Sequence, residues 1–95
     1  MDRATLMEDM RQRLESALQP LELHLTDDSA AHAGHAGAAG GGGHFQVRIV
    51  TSRFTDRSKV TRHRMVYDAL AELMGRHIHA LAIEALAPGD RARSA

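Results

Sequence analysis

Apolar residues recur with helical spacing in two segments of the chain. In the first they come at steps of four, at Leu6, Met10, Leu14 and Leu18. This spacing predicts a helix over residues 5–18, opened by a capping box of Thr5 and Glu8. The second helix is predicted over residues 60–75, with Gly75 as its stop and a stripe formed by Val66, Leu70, Leu73 and Met74. Each helix should bury one face.

Three further segments alternate between apolar and polar residues, which is typical of strands with one buried face. They are residues 21–26, 45–49 and 78–86, and His44 should point outward, opposite to Phe45. The first two strands can pair antiparallel, and a right-handed crossover through the second helix makes the second and third parallel. The order α-β-β-α-β therefore predicts an α+β fold, a three-stranded mixed sheet with two helices on one face.

Two segments lack hydrophobic periodicity. Residues 27–43 are rich in alanine, glycine and histidine, which predicts a flexible loop. Residues 89–95 follow Pro88 and have nothing to bury, which predicts a disordered tail. We therefore expect a single domain over residues 1–88.

Composition narrows the possible functions. The 95 residues include 12 basic and 12 acidic side chains and no cysteine. Overall charge thus indicates no polyanionic partner, and the chain alone offers no thiolate nucleophile or thiolate metal ligand. Phosphate-loop, zinc-protease and nucleophile-elbow motifs are absent, as are a membrane-spanning apolar run and a targeting sequence. We expect a cytoplasmic protein that is not an enzyme.

Seven histidines are the unusual feature of the composition. His32 and His35 lie in the predicted loop, whereas His77 and His79 lie two residues apart at the start of the third strand. A loop histidine folding over this strand end would create a mixed metal site, although loop histidines are more often only solvated. His63 lies at the edge of the second helix's buried stripe, so we predict a structural role for it.

Five basic residues cluster around the start of the second helix, with Asp56 as the single acid among them. They are Arg53, Arg57, Lys59, Arg62 and Arg64. Positive charge at a helix amino end favours phosphate groups, so this cluster is either a nucleic-acid-binding surface or a solubilising face. The helix carries no Asn or Gln with which to read bases.

Several short segments, in this order, resemble the BolA family across residues 6–88. They are Asp28-Ser29, His32-Ala33-Gly34-His35, His44-Phe45, Ser52-Arg53-Phe54, Arg62-His63-Arg64-Met65-Val66-Tyr67 and His79-Ala80-Leu81-Ala82-Ile83. The resemblance implies a class II KH-like α-β-β-α-β fold. The chain departs from the family at Asp56, where glycine is common, and it lacks the KH signature G-x-x-G.

The resemblance also implies partnership with a monothiol glutaredoxin, with or without a shared [2Fe–2S] cluster. In such complexes glutaredoxin and glutathione supply thiolates, while the BolA protein supplies a histidine near its third strand and a histidine or cysteine from the loop between strands 1 and 2. By position these ligands are His79 and His32, with His35 as an adjacent substitute. An isolated chain would carry no cofactor. Some family members are described as DNA-binding transcriptional regulators, and the cluster between Arg53 and Arg64 would be their candidate surface.

Overall fold

The helices and strands follow the predicted order. The computed structural model of the chain describes residues 2–28 and 43–90. Its elements are α1 (Arg3–Leu18), β1 (Glu22–Asp27), β2 (Gly43–Val50), a single 3-10 turn (Ser52–Phe54), α2 (Lys59–Ala69) and β3 (Ile78–Leu86). The bounds of β3 coincide with those that the alternation predicted. No helix within these two ranges is long and apolar enough to cross a membrane.

The sheet is mixed, as predicted, with β2 at its centre. β1 pairs antiparallel with β2, from Glu22 opposite Val50 to Asp27 opposite Phe45. β3 pairs parallel with β2 and ends at Leu86 opposite Val50. The α2 crossover therefore returns the chain to the edge of the sheet opposite to β1.

Both helices pack against the same face of β2. Phe45, Val47 and Ile49 are buried in one cluster with the apolar faces of α1 and α2, whereas Gln46 is exposed on the other side of the strand. Only one face of the central strand offers a continuous apolar surface, so both helices lie there. The buried residues of the two helices and of the turns after α2 were all identified by the spacing, namely Leu6, Met10, Leu14, Leu18, Val66, Leu70 and Leu73. Met74, the last member of the predicted stripe, is only half-buried.

The first helix begins earlier than predicted. Asp2 Oδ1 accepts a hydrogen bond of 2.8 Å from the Thr5 N–H, so Asp2 is the N-cap and the predicted capping box of Thr5 and Glu8 is wrong. An aspartate is favourable here because its negative charge also lies at the positive end of the helix. The hydrogen bonds from Thr5 lower the pKa of Asp2.

The second helix ends at Ala69, well before the predicted stop at Gly75. Residues 70–77 instead form successive turns, in which Leu73 stays buried and Gly75 reverses the chain with a φ of 81°. The prediction that Leu70 and Leu73 are buried is confirmed, but the prediction that they lie in a helix is wrong. The turns bury these two side chains as a helix would, and they also lead the chain into β3.

The described fold extends to Asp90, two residues into the expected tail. Asp90 Oδ2 accepts hydrogen bonds from Arg62 Nη1 at 2.7 Å and from the Ala87 N–H at 2.9 Å. These contacts hold the turn after β3 against the start of α2. Residues 91–95 of the expected tail, and most of the expected loop over 27–43, lie outside the described residues.

Candidate functional site

The start of β3 carries an exposed histidine on a bulged strand. Gly43 pairs with Ile78 and His44 pairs with Ala80, so the register shifts and His79 has no partner residue on β2. Ile78 is buried, whereas His79 and Ala80 are both exposed, which breaks the expected alternation. A bulge of this kind turns a side chain away from the direction that a regular strand would give it.

The bulge brings His79 next to His44 of the neighbouring strand. The centroids of the two imidazole rings are 5.2 Å apart and their planes are inclined at 45°. His79 was predicted as a ligand from its place at the start of the third strand and from the BolA resemblance. His44 was predicted only to point outward, and it is half-buried. The pairing register decides which residue of β2 lies next to His79. That register depends on a bulge, which the alternation of apolar and polar residues does not predict, so the contact with His44 was missed.

The segment that contains His32 and His35 begins and ends beside this histidine pair. The Asp28 N–H donates to the His44 carbonyl at 2.7 Å, and Gln46 Nε2 donates to Asp28 Oδ2. At the other end of the segment, the Gly43 N–H donates to the His77 carbonyl at 2.9 Å. His32 and His35 themselves lie outside the described residues, so their predicted role as ligands stays a prediction. His77 is half-buried immediately before the bulge.

Arg3 packs over the first residues of β2. Its guanidinium lies 5.4 Å from the centroid of the Phe45 ring, and its Nε lies 3.3 Å from Asp27 Oδ2. A Cβ atom on Gly43 would overlap both Arg3 Nη1 and the Phe45 ring. Glycine is therefore required at this position, where α1, β1 and β2 meet next to His44.

The donor atoms described at this site are too few to hold a metal ion without ligands from elsewhere. The chain has no cysteine, and residues 2–28 and 43–90 contain no group of three or more His, Cys, Asp or Glu side chains that could hold a metal ion. Imidazole nitrogens can replace thiolates on one iron of a [2Fe–2S] cluster, as they do in Rieske centres. The exposed His79 could thus supply a ligand to one iron, whereas His44 is half-buried and its Nε2 is enclosed by the fold, so it would have to turn or use Nδ1. The remaining ligands would have to come from elsewhere.

The five basic residues of the predicted nucleic-acid surface differ in their surroundings. Arg62 is the most enclosed, because it donates to the Ala85 and Arg57 carbonyls and forms an ion pair with Asp90. The hydrogen bond from Arg62 and that from the Ala87 N–H lower the pKa of Asp90. Arg53 Nη2 donates to Gln19 Oε1 at 2.8 Å. Arg53, Arg57, Lys59 and Arg64 are all exposed, and none of them forms an ion pair within the described part of the chain.

His63 is half-buried on α2. It borders one depression with Val60 and Tyr67, and another with Glu84 and Asp90. This position is consistent with the predicted place at the edge of the buried stripe, and its structural role stays a prediction.

Comparison with known proteins gives a consistent result. The family model for BolA-like proteins matches residues 14–90. Human BolA-like protein 1 is 47% identical over 81 residues, which cover 85% of this chain and 57% of the human protein. The protein named DNA-binding transcriptional regulator BolA in Escherichia coli is 38% identical over 78 residues, covering 82% of this chain and 71% of that protein.

The solved structures agree. BolA1 from Arabidopsis thaliana superposes with a TM-score of 0.76 at 35% identity, covering 97% of this chain and 99% of that one. The names of these three relatives assign no catalytic activity. The family match, the identities and the shared fold together show that the chain is a member of the BolA-like protein family.

Proposed function

We propose that this chain contributes imidazole ligands to a [2Fe–2S] cluster that it shares with a monothiol glutaredoxin, in iron–sulfur trafficking or in iron or redox regulation. The observation that carries the proposal is the exposed His79 ring, 5.2 Å from the ring of His44 at a bulged sheet edge. Because the ring is exposed, a second protein can reach its nitrogens. Membership of the BolA-like family adds support.

The division of ligands follows from the chemistry of the two partners. A chain without cysteine cannot hold a [2Fe–2S] cluster by itself. Thiolates would come from the glutaredoxin and from glutathione. His79 would be one imidazole ligand, and the second would come from His32 or His35, as the resemblance implies, or from His44. Exchange of thiolate for imidazole removes negative charge and should raise the reduction potential of the cluster.

The proposal is tested by mixing the chain with a cluster-loaded monothiol glutaredoxin and recording visible absorption and circular dichroism. The wild-type chain should change the spectrum, and His79→Ala should abolish most of that change. His44→Ala, and separately a His32→Ala/His35→Ala double variant, would identify the second ligand. His24→Ala is the matched control, because His24 is an exposed histidine on β1, away from the bulge. Identical spectra from His79→Ala and the wild type would contradict the proposal.

A second candidate function is DNA binding, favoured by the name of the Escherichia coli relative. Of the five predicted residues, the side chains of Arg57, Lys59 and Arg64 form neither an ion pair nor a hydrogen bond with the described residues, so they are the best candidates for phosphate contacts. Each lost phosphate contact lowers the slope of log affinity against log salt by about 0.9. A Lys59→Ala/Arg64→Ala variant should therefore bind duplex DNA with a shallower slope, and Arg76→Ala, at an exposed cation outside the cluster, should not. Absence of binding at low salt would contradict this function.

A further inference from the structure

An apolar pair lies on the outer face of α2. Val60 is 67% exposed and Tyr67 is 40% exposed, which makes them two of the three large apolar side chains that are exposed in the described part of the chain. They are two helical turns apart, about 10 Å along the axis. Together with Lys59, His63 and Arg64 they line a shallow depression of about 470 Å³. Apolar side chains that are grouped in this way and rimmed by polar ones are typical of an interaction site.

The rim of this depression carries positive charge that the fold does not neutralise. Within residues 2–28 and 43–90, neither Lys59 nor Arg64 forms an ion pair, and the only carboxylate in α2 is that of Asp68. Four arginines of the described residues are compensated, namely Arg3 by Asp27, Arg13 by Asp9 and Glu72, Arg48 by Glu22 and Glu84, and Arg62 by Asp90, whereas Arg11, Arg53, Arg57 and Arg76 form no ion pair there. The charges of Lys59 and Arg64 are therefore available to interact with a ligand or with solvent.

The face is also held in place from both ends. At the amino end, the Ser58 side chain caps α2 by accepting from the Thr61 N–H at 3.1 Å, and Arg62 is fixed to Asp90 on the other side of the helix. Further along, the Tyr67 hydroxyl donates to the Leu81 carbonyl at 3.5 Å. A surface that is already ordered loses little conformational entropy when it binds a partner.

We propose that this α2 face, formed by Lys59, Val60, His63, Arg64 and Tyr67, docks an acidic peptide segment of another protein. The segment would place an apolar side chain between Val60 and Tyr67 and would direct carboxylates at Lys59 and Arg64. The positive charge of this face calls for a negatively charged partner. The exposed apolar pair calls for an apolar side chain beside those negative charges, so the segment should be amphipathic.

The same features favour a protein partner over a nucleic acid at this face. A phosphate backbone would be attracted to Lys59 and Arg64 but would gain nothing from covering Val60. Tyr67 is the only aromatic side chain on α2, so there is no row of rings on which successive bases could stack. Docking here needs no metal, so it is independent of the cluster ligands proposed above.

The test uses a fluorescein-labelled, 14-residue synthetic peptide in which leucines lie at helical spacing and the other positions are glutamate. Fluorescence anisotropy should report binding to the full chain, and a charge-inverted peptide with lysine in place of glutamate should not bind. Val60→Glu and Arg64→Glu should each weaken binding by about tenfold or more, since both add a like charge to the docking face. The matched controls are Leu21→Glu, at an exposed leucine elsewhere, and Arg76→Glu, at an exposed cation outside α2.

Circular dichroism of each variant confirms that it is folded. His79→Ala should bind the peptide as the wild type does, which separates this inference from the proposed cluster ligation. Absence of binding, or equal weakening by the control variants, would overturn the proposal. A 20-base-pair DNA duplex provides a second check. If the duplex displaced the peptide and Val60→Ser left the affinity for the duplex unchanged, the occupant of this face would be a nucleic acid and the proposal would be overturned.

Discussion

At the scale of single residues, Asp56 has a backbone conformation that glycine adopts more easily. Its φ is 61°, and with Gln19, whose φ is 48°, it is one of two non-glycine residues with positive φ in residues 2–28 and 43–90. A left-handed conformation costs most L-residues about 1–2 kcal/mol, and aspartate somewhat less. The resemblance to the BolA family implies glycine at this position, and the backbone angle supplies a physical reason for it.

Replacing Asp56 by glycine should therefore stabilise the protein. We expect Asp56→Gly to raise the free energy of unfolding by about 0.5–1 kcal/mol, because relief of the left-handed strain outweighs the entropy that glycine adds to the unfolded chain. Asp56→Val should lower it, because a β-branched side chain is strained at this φ. Urea unfolding measures both changes. A control change of Asp68→Gly within α2 should not stabilise, and a lower unfolding free energy for Asp56→Gly would contradict the account.

The contact between Arg62 and Asp90 should make stability depend on pH. Hydrogen bonds from Arg62 and from the Ala87 N–H lower the pKa of Asp90. A lowered carboxylate pKa contributes stability that is fully present above the unfolded-state value of about 3.9 and is lost as the pH falls through the folded-state value. Asp90→Asn should therefore be less stable than the wild type at pH 6, and the difference should shrink towards pH 3. Thermal unfolding across this range would contradict the account if the difference stayed constant.

At the scale of elements, periodicity predicted the parts of the fold that depend on local pattern. Alternation located β3 at Ile78–Leu86, and helical spacing identified the buried face of α1. Periodicity gave the wrong structure at Leu73, which is buried in a turn and not in a helix. A helix and a turn can bury the same residue, so tertiary contacts determine which of the two forms. Periodicity also failed at the bulge that brings His44 to His79, because a register shift depends on two strands that are distant in sequence.

Gly43, at the edge of the bulge, has no room for a side chain. A methyl group there would overlap the end of the Arg3 side chain, which can move, and the Phe45 ring, which is buried. We expect Gly43→Ala to lower the free energy of unfolding by about 1–3 kcal/mol, the usual cost of overpacking. Chemical denaturation measures this loss. A Gly43→Ala/Arg3→Ala variant should not recover the wild-type value, since the overlap with the Phe45 ring remains. A Gly43→Ala protein as stable as the wild type would show that this junction is not tightly packed.

At the scale of the whole molecule, the two ends of β3 have different surroundings. At its amino end the exposed His79 lies next to the half-buried His44 of β2, and its carboxyl end is held to α2 through Arg62 and Asp90. The exposed face of α2 lies alongside, with Tyr67 bonded to Leu81, two residues after His79. The fold thus places the ion pair of Arg62 and Asp90 at one end of β3 and the exposed His79 at the other.

Under the proposed function, an imidazole nitrogen of this chain binds the iron of a shared cluster. The most direct measurement is pulsed electron paramagnetic resonance of the reduced complex with glutaredoxin, in which only this chain carries ¹⁵N-labelled histidine. The account predicts ¹⁵N hyperfine couplings that are weakened or lost in His79→Ala and retained in His24→Ala. A reduced cluster in the wild-type complex with no ¹⁵N coupling would contradict it.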